Sequence, residues 1–176
     1  MFKKILVANR GAIARRIVRA CTELGVQSVV VYSPVDIQAP YIAEATEAYP
    51  LRGDAAVDGY LDQDQLLAIA HKCRADGIHP GYGFLSENSA FAQRVIDEGL
   101  AFIGPSPQWL DQMGDKVSAR TVMAKLGMPI FAGSELITDV AQAEAFAQSE
   151  GFPLVVKPAG GGGGMGSMTA FADALA

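Results

Sequence analysis

Short apolar runs alternate along the chain with longer stretches whose apolar residues recur every three or four positions. Ile5-Leu6-Val7-Ala8 is the first run, and its lack of a polar break fits a strand buried on both faces. After it, Ile13, Ile17, Ala20, Cys21 and Leu24 stand at helical spacing, and Gly25 stops that helix. Ser28-Val29-Val30-Val31-Tyr32-Ser33 is a second, β-branched run, so residues 1–33 predict β-α-β. Residues 61–73 predict another amphipathic helix with Leu66, Leu67, Ile69 and Ala70 on its apolar side; Asp76-Gly77 and Ile78-His79-Pro80 follow. Residues 88–98 are helical again, and Ala101-Phe102-Ile103 predicts a strand closed by Gly104-Pro105. Strands alternating with helices give an α/β fold with a right-handed, mostly parallel open sheet.

Past Pro105 the pattern changes. Residues 106–113 and 116–126 predict two helices separated by Gly114-Asp115, which carry the chain away from the sheet. The boundary is expected between 105 and 115, giving a sheet domain over 1–110 and, over 111–176, linker helices with an incomplete α+β unit. That unit predicts an extended stretch at 128–132, a helix at 140–149, a strand at 154–157 and a second strand around 165–169. The last residues, Phe171-Ala172-Asp173-Ala174-Leu175-Ala176, read as the opening of a helix. A helix of about six residues does not sustain itself in water, so continuation or a covering partner is expected there.

Half of the 176 residues are hydrophobic and only 19% are charged, which provides for a packed core. A net charge of −5 disfavours nucleic acid as a partner, although Arg15, Arg16 and Arg19 share one helix. Cys21 and Cys73 sit within apolar helical patterns and, with no further cysteine, form neither a metal set nor a disulfide framework. They read as buried, reduced thiols. The basic start, Met1-Phe2-Lys3-Lys4, is followed by an apolar run too short for a signal peptide or a membrane helix, so a soluble, cytoplasmic protein is expected.

The chemistry is concentrated in two segments. Val155-Val156-Lys157-Pro158-Ala159 leads into five consecutive glycines, Gly160 to Gly164, so a strand delivers one positive charge to a loop without side chains. Glycine lets backbone N–H groups converge on an anion, and lysine adds a mobile point charge, which together suit phosphate. The plainer alternative is a flexible linker, but linkers mix in Ser, Thr or Pro and do not follow a Val-Val-Lys strand end. Lys157 precedes the glycines, so this is not a Walker loop, and a single glycine at position 11 after the first strand provides no dinucleotide fingerprint. Strand, lysine, glycine-rich turn and second strand suggest a β-hairpin lid over a triphosphate. The other segment, His79-Pro80-Gly81-Tyr82-Gly83-Phe84-Leu85-Ser86-Glu87-Asn88, crowds turn formers between polar groups.

That second segment resembles the signature of biotin carboxylase. The resemblance extends over nearly the whole chain, because Ile5-Leu6-Val7-Ala8-Asn9-Arg10-Gly11, Ile103-Gly104-Pro105, Met113-Gly114-Asp115-Lys116 and Lys157 with its glycines stand in that family's order and approximate spacing. It implies an ATP-grasp protein. The sheet domain would be a Rossmann-like pre-ATP-grasp domain, and the second unit part of the ATP-grasp lid. The family makes carboxyphosphate from ATP and bicarbonate, with Mg²⁺, and then carboxylates N1′ of biotin on a carrier domain. Lys116, Lys157 and the N–H groups of Gly161, Gly162, Gly163 and Gly164 would contact the nucleotide phosphates. Tyr82 and Gly83 would border the bicarbonate and biotin end. Glu87 would lie near the anion site, although a glutamate in the first turn of a helix reads first as a cap or dipole partner. His79 reads first as a hydrogen-bonded turn residue and second as a proton-transfer group.

The sequence also departs from the family. Met165 stands where Lys or Arg is usual, Gly166-Ser167 replaces Gly-Met, and Ala12 replaces a glutamate. The stretch Pro34-Val35-Asp36-Ile37-Gln38-Ala39-Pro40-Tyr41 replaces an acidic residue and a histidine. The family's Mg²⁺-binding glutamates, general-base glutamate, catalytic arginine and adenine pocket come after the segment matched here. The resemblance therefore implies no catalytic and no metal-ligating residue in this chain. It implies the N-terminal part of an acyl-CoA or pyruvate carboxylase component, inactive alone, that works with a carrier domain and a carboxyltransferase. A homodimer is implied through the helix face carrying Arg16, Arg19 and Glu23, which an ordinary solvated face explains equally well. The rival is a non-catalytic binding or assembly module on the same fold; another ATP-grasp ligase is disfavoured by the 79–88 run.

Overall fold

A computed structural model describes residues 1–53, 58–157 and 167–170. The chain divides into two compact units, Met1–Leu110 and Asp111–Ala176.

The first unit runs β1 (Lys4–Val7), α1 (Gly11–Glu23), β2 (Gln27–Tyr32), a 3-10 turn (Pro34–Asp36), α2 (Pro40–Glu44), β3 (Glu47–Pro50), α3 (Gln63–Cys73), β4 (Gly77–His79), α4 (Ser89–Asp97) and β5 (Ala101–Phe102). The five strands pair in the order β3-β2-β1-β4-β5, and all four pairings are parallel. Leu6 of β1 aligns with Val29 on one side and Ile78 on the other, so the most apolar run in the sequence is the central strand. Side chains alternate across the sheet. Leu6, Val29, Val31 and Ile78 face α3 and α4, in a core with Leu66, Ala70, Phe91 and Val95. Ile5, Val7 and Val30 face α1 and α2, in a core with Ala14, Ile17, Val18, Cys21 and Tyr41. Each fully buried Leu, Val or Ile contributes about 1.5–3 kcal/mol relative to exposure, so the two layers hold the sheet between them.

The structure places the inner stripe of α1 on Ala14, Ile17, Val18 and Cys21. Ala20 is exposed and Leu24 is 71% exposed, contrary to the sequence expectation. Positions i, i+3, i+4 and i+7 counted from Ala14 make one face, and Leu24 caps the helix beyond it. The helix stops as the sequence indicates. Gly25 takes φ +68°, its N–H donates to Thr22 and the Val26 N–H donates to Cys21, which satisfies two terminal carbonyls. Cys21 and Cys73 are both buried free thiols, and burial pushes each up from its ordinary pKa.

Sequence periodicity did not reveal α2, β3 or the 3-10 turn. β3 reads Glu-Ala-Tyr-Pro, and as the edge strand it tolerates a proline that a central strand would not.

α5 (Pro107–Gly114) closes the first unit and opens the second. The second unit then has α6 (Lys116–Lys125), α7 (Val140–Glu150), β6 (Leu154–Val156) and β7 (Met168–Ala170). Asp115 caps α6 by accepting from the Ser118 N–H, and Asp139 caps α7 by accepting from Gln142. β6 and β7 pair antiparallel, Val155 opposite Thr169, as a hairpin requires. Residues 128–134 hold no regular structure. Among the described residues of this unit only Ala147 is buried, while Phe131, Val140, Val155, Val156 and Met168 are exposed. Among the described residues no helix is long and apolar enough to cross a membrane.

Candidate functional site

Strand order reverses between β1 and β4. The chain builds outward from β1 through β2 to β3, then returns to the far side of β1 with β4 and β5. In such sheets the crevice beyond the carboxyl ends of the two strands at the reversal is where ligands bind. Past its end β1 leads there into Asn9-Arg10-Gly11, and β4 leads through its last residue, His79, into Pro80-Gly81.

Asn9 joins the two ends. It is fully buried, and its amide nitrogen donates to the Pro80 carbonyl at 2.7 Å and to the Tyr82 carbonyl at 3.0 Å. Its amide oxygen accepts from the Arg10 N–H at 2.9 Å. Each such bond is worth about 1 kcal/mol net, and leaving a buried partner unmade costs about 1–3 kcal/mol. Gly81 fits beside it only because it has no side chain. With φ +69°, a Cβ there would come 2.7 Å from the Asn9 amide nitrogen and 2.7 Å from an Ile13 methyl.

His79 supplies a further tie. Its Nδ1 accepts from the Gly81 N–H at 3.0 Å, and burial pushes its pKa down. A neutral ring with an accepting Nδ1 carries its proton on Nε2. The hydrogen-bonded turn is thus what the structure shows for His79.

From Gly81 the loop projects Tyr82, which is 72% exposed, then Gly83 at φ +72° and Phe84 at φ +43°. A left-handed phenylalanine costs roughly 1–2 kcal/mol. Its ring stacks on Tyr60, centroids 5.0 Å apart and planes 22° apart, an arrangement worth about 0.5–1.5 kcal/mol beyond area burial. Leu85 follows into the core, and the Ser86 N–H returns to the Gly83 carbonyl at 2.9 Å. Asn88 caps α4, its side chain accepting from the Phe91 N–H at 2.7 Å. Glu87 is exposed and lies one residue before that cap, so the cap role weighed for it belongs to Asn88.

Beside the loop sits a buried polar cluster that the sequence did not disclose. The Asp36 carboxylate accepts from Arg10 through two nitrogens, one at 2.7 Å, from the Tyr60 hydroxyl at 2.6 Å and from the Ser33 hydroxyl at 3.1 Å. Hydrogen bonds from Arg10, then from Tyr60 and Ser33, hold Asp36 below the usual carboxylate range despite its burial. The same pair raises Arg10, and burial raises Tyr41 and Tyr60. Asp36 lies in the stretch that departs from the family pattern, and its position one turn past β2 was the only available clue.

The phosphate candidates lie in the second unit. Lys116 is the first residue of α6, directly after the Asp115 cap, and Lys157 follows the last residue of β6. Gly161, Gly162, Gly163 and Gly164, with Met165, lie outside the described residues.

Comparison with known proteins bears on both units. Residues 1–110 match the family described as biotin carboxylase, N-terminal domain, and residues 115–174 match the carbamoyl-phosphate synthase L chain, ATP binding domain. Biotin carboxylase 2 of Bacillus subtilis (strain 168) is 46% identical over 167 residues, which are 94% of this chain and 38% of that protein. Mitochondrial pyruvate carboxylase of Homo sapiens is 46% identical over 93% of this chain and 14% of its own length. Among solved structures, the biotin carboxylase domain dimer of Hydrogenobacter thermophilus 2-oxoglutarate carboxylase, with MgADP, ADP and bicarbonate, aligns with a TM-score of 0.91 at 42% identity. That alignment covers 96% of this chain and 37% of the other. A Campylobacter jejuni biotin carboxylase complex aligns equally well, at TM-score 0.91 and 38% identity, over 96% of this chain and 38% of that one. The chain thus spans less than two fifths of the biotin carboxylases it matches.

Proposed function

Because the chain belongs to the biotin carboxylase family, we propose that it is the N-terminal part of an ATP-dependent biotin carboxylase, inactive in isolation. The whole enzyme would transfer the γ-phosphoryl group of ATP to bicarbonate, releasing ADP, and pass the carboxyl group to N1′ of biotin on a carrier domain. A carboxyltransferase would then use the carboxybiotin. The observation that carries the reading is the 79–88 loop, anchored at the topological reversal of the sheet with Tyr82 exposed at its tip.

In this reading Tyr82 offers an aromatic face to the ureido ring of biotin, and Gly83 lets a backbone N–H approach bicarbonate or biotin without a side chain in the way. Glu87 is near enough in sequence to order that end of the loop. Lys116, Lys157 and the glycines 161–164 hold nucleotide phosphates and stabilise charge that builds as the phosphoryl group moves. Magnesium belongs to the reaction, as the MgADP in the Hydrogenobacter thermophilus structure illustrates. The resemblance places the metal ligands after the segment matched here, so no residue of this chain is proposed for it. Arg16, Arg19 and Glu23, all exposed on α1, are the proposed contact with a second copy.

Steady-state phosphate release by the isolated chain, with Mg²⁺, bicarbonate and free biotin, tests this. The expected rate equals that of a Lys157→Ala control. Bicarbonate-dependent turnover clearly above the control would refute the assignment to an incomplete enzyme.

A further inference from the structure

Tyr60 is distant in sequence from the loop that carries Tyr82, yet it touches the groups that shape that loop. Only 2% of it is exposed. Its hydroxyl donates to Asp36 at 2.6 Å and accepts from the Ser33 N–H at 3.1 Å, so the ring cannot slide along its own plane without breaking both bonds. The Arg10 guanidinium, held by the same Asp36, lies 5.9 Å from the ring centroid. Arg10 also follows Asn9, whose side chain holds the Pro80 and Tyr82 carbonyls. Phe84 stacks on the ring at 5.0 Å.

Phe84 is where the loop stores strain. Its φ of +43° lies where side-chain-bearing residues rarely go, and such a conformation persists only when the surroundings over-determine it. Gly83 immediately before it has φ +72° with open space where a side chain would stand, its carbonyl is held by the Ser86 N–H and the Tyr82 carbonyl before it by Asn9, so the tip is tied through its backbone on both sides. These bonds leave the Phe84 side chain itself unanchored, and its stack on the Tyr60 ring, fixed in turn by Asp36, supplies the restraint on its left-handed backbone. We infer that Tyr60 is a positioning residue for the Tyr82-Gly83 tip: with Asp36 and Arg10 it forms a platform that holds Phe84 left-handed, and through Phe84 it sets where the tip stands. The inference rests on the proposed substrate role of that tip only for its consequence, not for its geometry.

Two variants of the full chain separate the ring from its hydroxyl. Tyr60→Phe keeps the stack and loses the bond to Asp36, whereas Tyr60→Leu keeps apolar volume and loses the stack. Amide exchange followed by NMR reads the Ser86 N–H, which closes the turn on Gly83, against Val29 to Val31 in the central core. Tyr60→Leu should speed exchange at Ser86 at least tenfold with Val29 to Val31 changed less than twofold, and Tyr60→Phe, which keeps the stack but frees the ring from Asp36, should fall between wild type and Tyr60→Leu. Free biotin is then titrated while the Gly83 amide and Tyr82 ring signals are followed. Their saturable shifts should survive in Tyr60→Phe and vanish in Tyr60→Leu, a change that a purely structural role for Tyr60 would not produce while the core stays protected.

Unchanged Ser86 exchange in Tyr60→Leu overturns the inference, as does a loss of protection spread equally over Val29 to Val31. Biotin shifts in Tyr60→Leu equal to wild type overturn it too. If wild type itself shows no biotin shift, the substrate role of the tip fails, and the Ser86 ratio alone decides for or against the positioning role.

Discussion

At the scale of single residues, the ties between the ends of β1 and β4 come from side chains that the sequence presents as ordinary. Asn9 was legible as part of a motif, but its partners lie 71 and 73 positions away, and no local pattern predicts them. Asp36 lay without an assigned role inside the stretch that departs from the family, and its pairing with Arg10 spans 26 positions. Asp36 has a definite pH signature. Its folded pKa is below the unfolded value of about 3.9, so its stabilisation is present at neutral pH and is lost as pH falls below about 4 and through the folded pKa. Asp36→Asn is therefore expected to destabilise the chain by about 1.5–3 kcal/mol at pH 7 and to narrow the gap to wild type on acidification, measured by urea unfolding between pH 7 and pH 3. An equal gap at every pH would contradict the assignment. Gly81→Ala adds a different cost, because strain at φ +69° combines with contacts of 2.7 Å to Asn9 and Ile13. A loss of about 1–3 kcal/mol is expected from the same unfolding experiment.

At the scale of elements, legibility followed burial. β1 and β2 are the middle of the sheet, buried on both faces, and their unbroken apolar runs announced them. β3 is an edge strand of Glu-Ala-Tyr-Pro and α2 is a helix of five residues opened by proline, so neither carries a usable period. α1 was found with a misplaced stripe, because Ala20 and Leu24 matched the spacing but Val18 faces the core. The loop between β4 and α4 was identified by its residue types, while its conformation depends on Tyr60, which lies outside it. The first unit holds every buried residue among those described except Ala147. A fragment of residues 1–110 should accordingly unfold in one cooperative urea transition, with its far-ultraviolet dichroism retained. A gradual, non-cooperative loss of signal would show that the sheet needs residues past 110.

At the scale of the whole molecule, the second unit differs from the first in kind. It has two capped helices and an antiparallel strand pair, but its apolar residues are largely exposed, Phe131 at 93% among them. Its match to the ATP binding domain of the carbamoyl-phosphate synthase L chain covers residues 115–174, and the relatives are more than twice as long as this chain. We read those exposed apolar residues as surface that the remaining part of an ATP-grasp domain covers in a complete enzyme. The central claim is that this chain supplies a working N-terminal part of a biotin carboxylase, and substitution into a complete relative tests it most directly. The chain would replace the matching 167 residues of Bacillus subtilis biotin carboxylase 2, and carboxylation of free biotin would be measured with ATP, Mg²⁺ and bicarbonate. The account predicts bicarbonate-dependent carboxybiotin formation by this chimera that Lys157→Ala abolishes and Tyr82→Ala lowers by raising the biotin concentration required. A folded chimera with no carboxylation above its Lys157→Ala counterpart would contradict it.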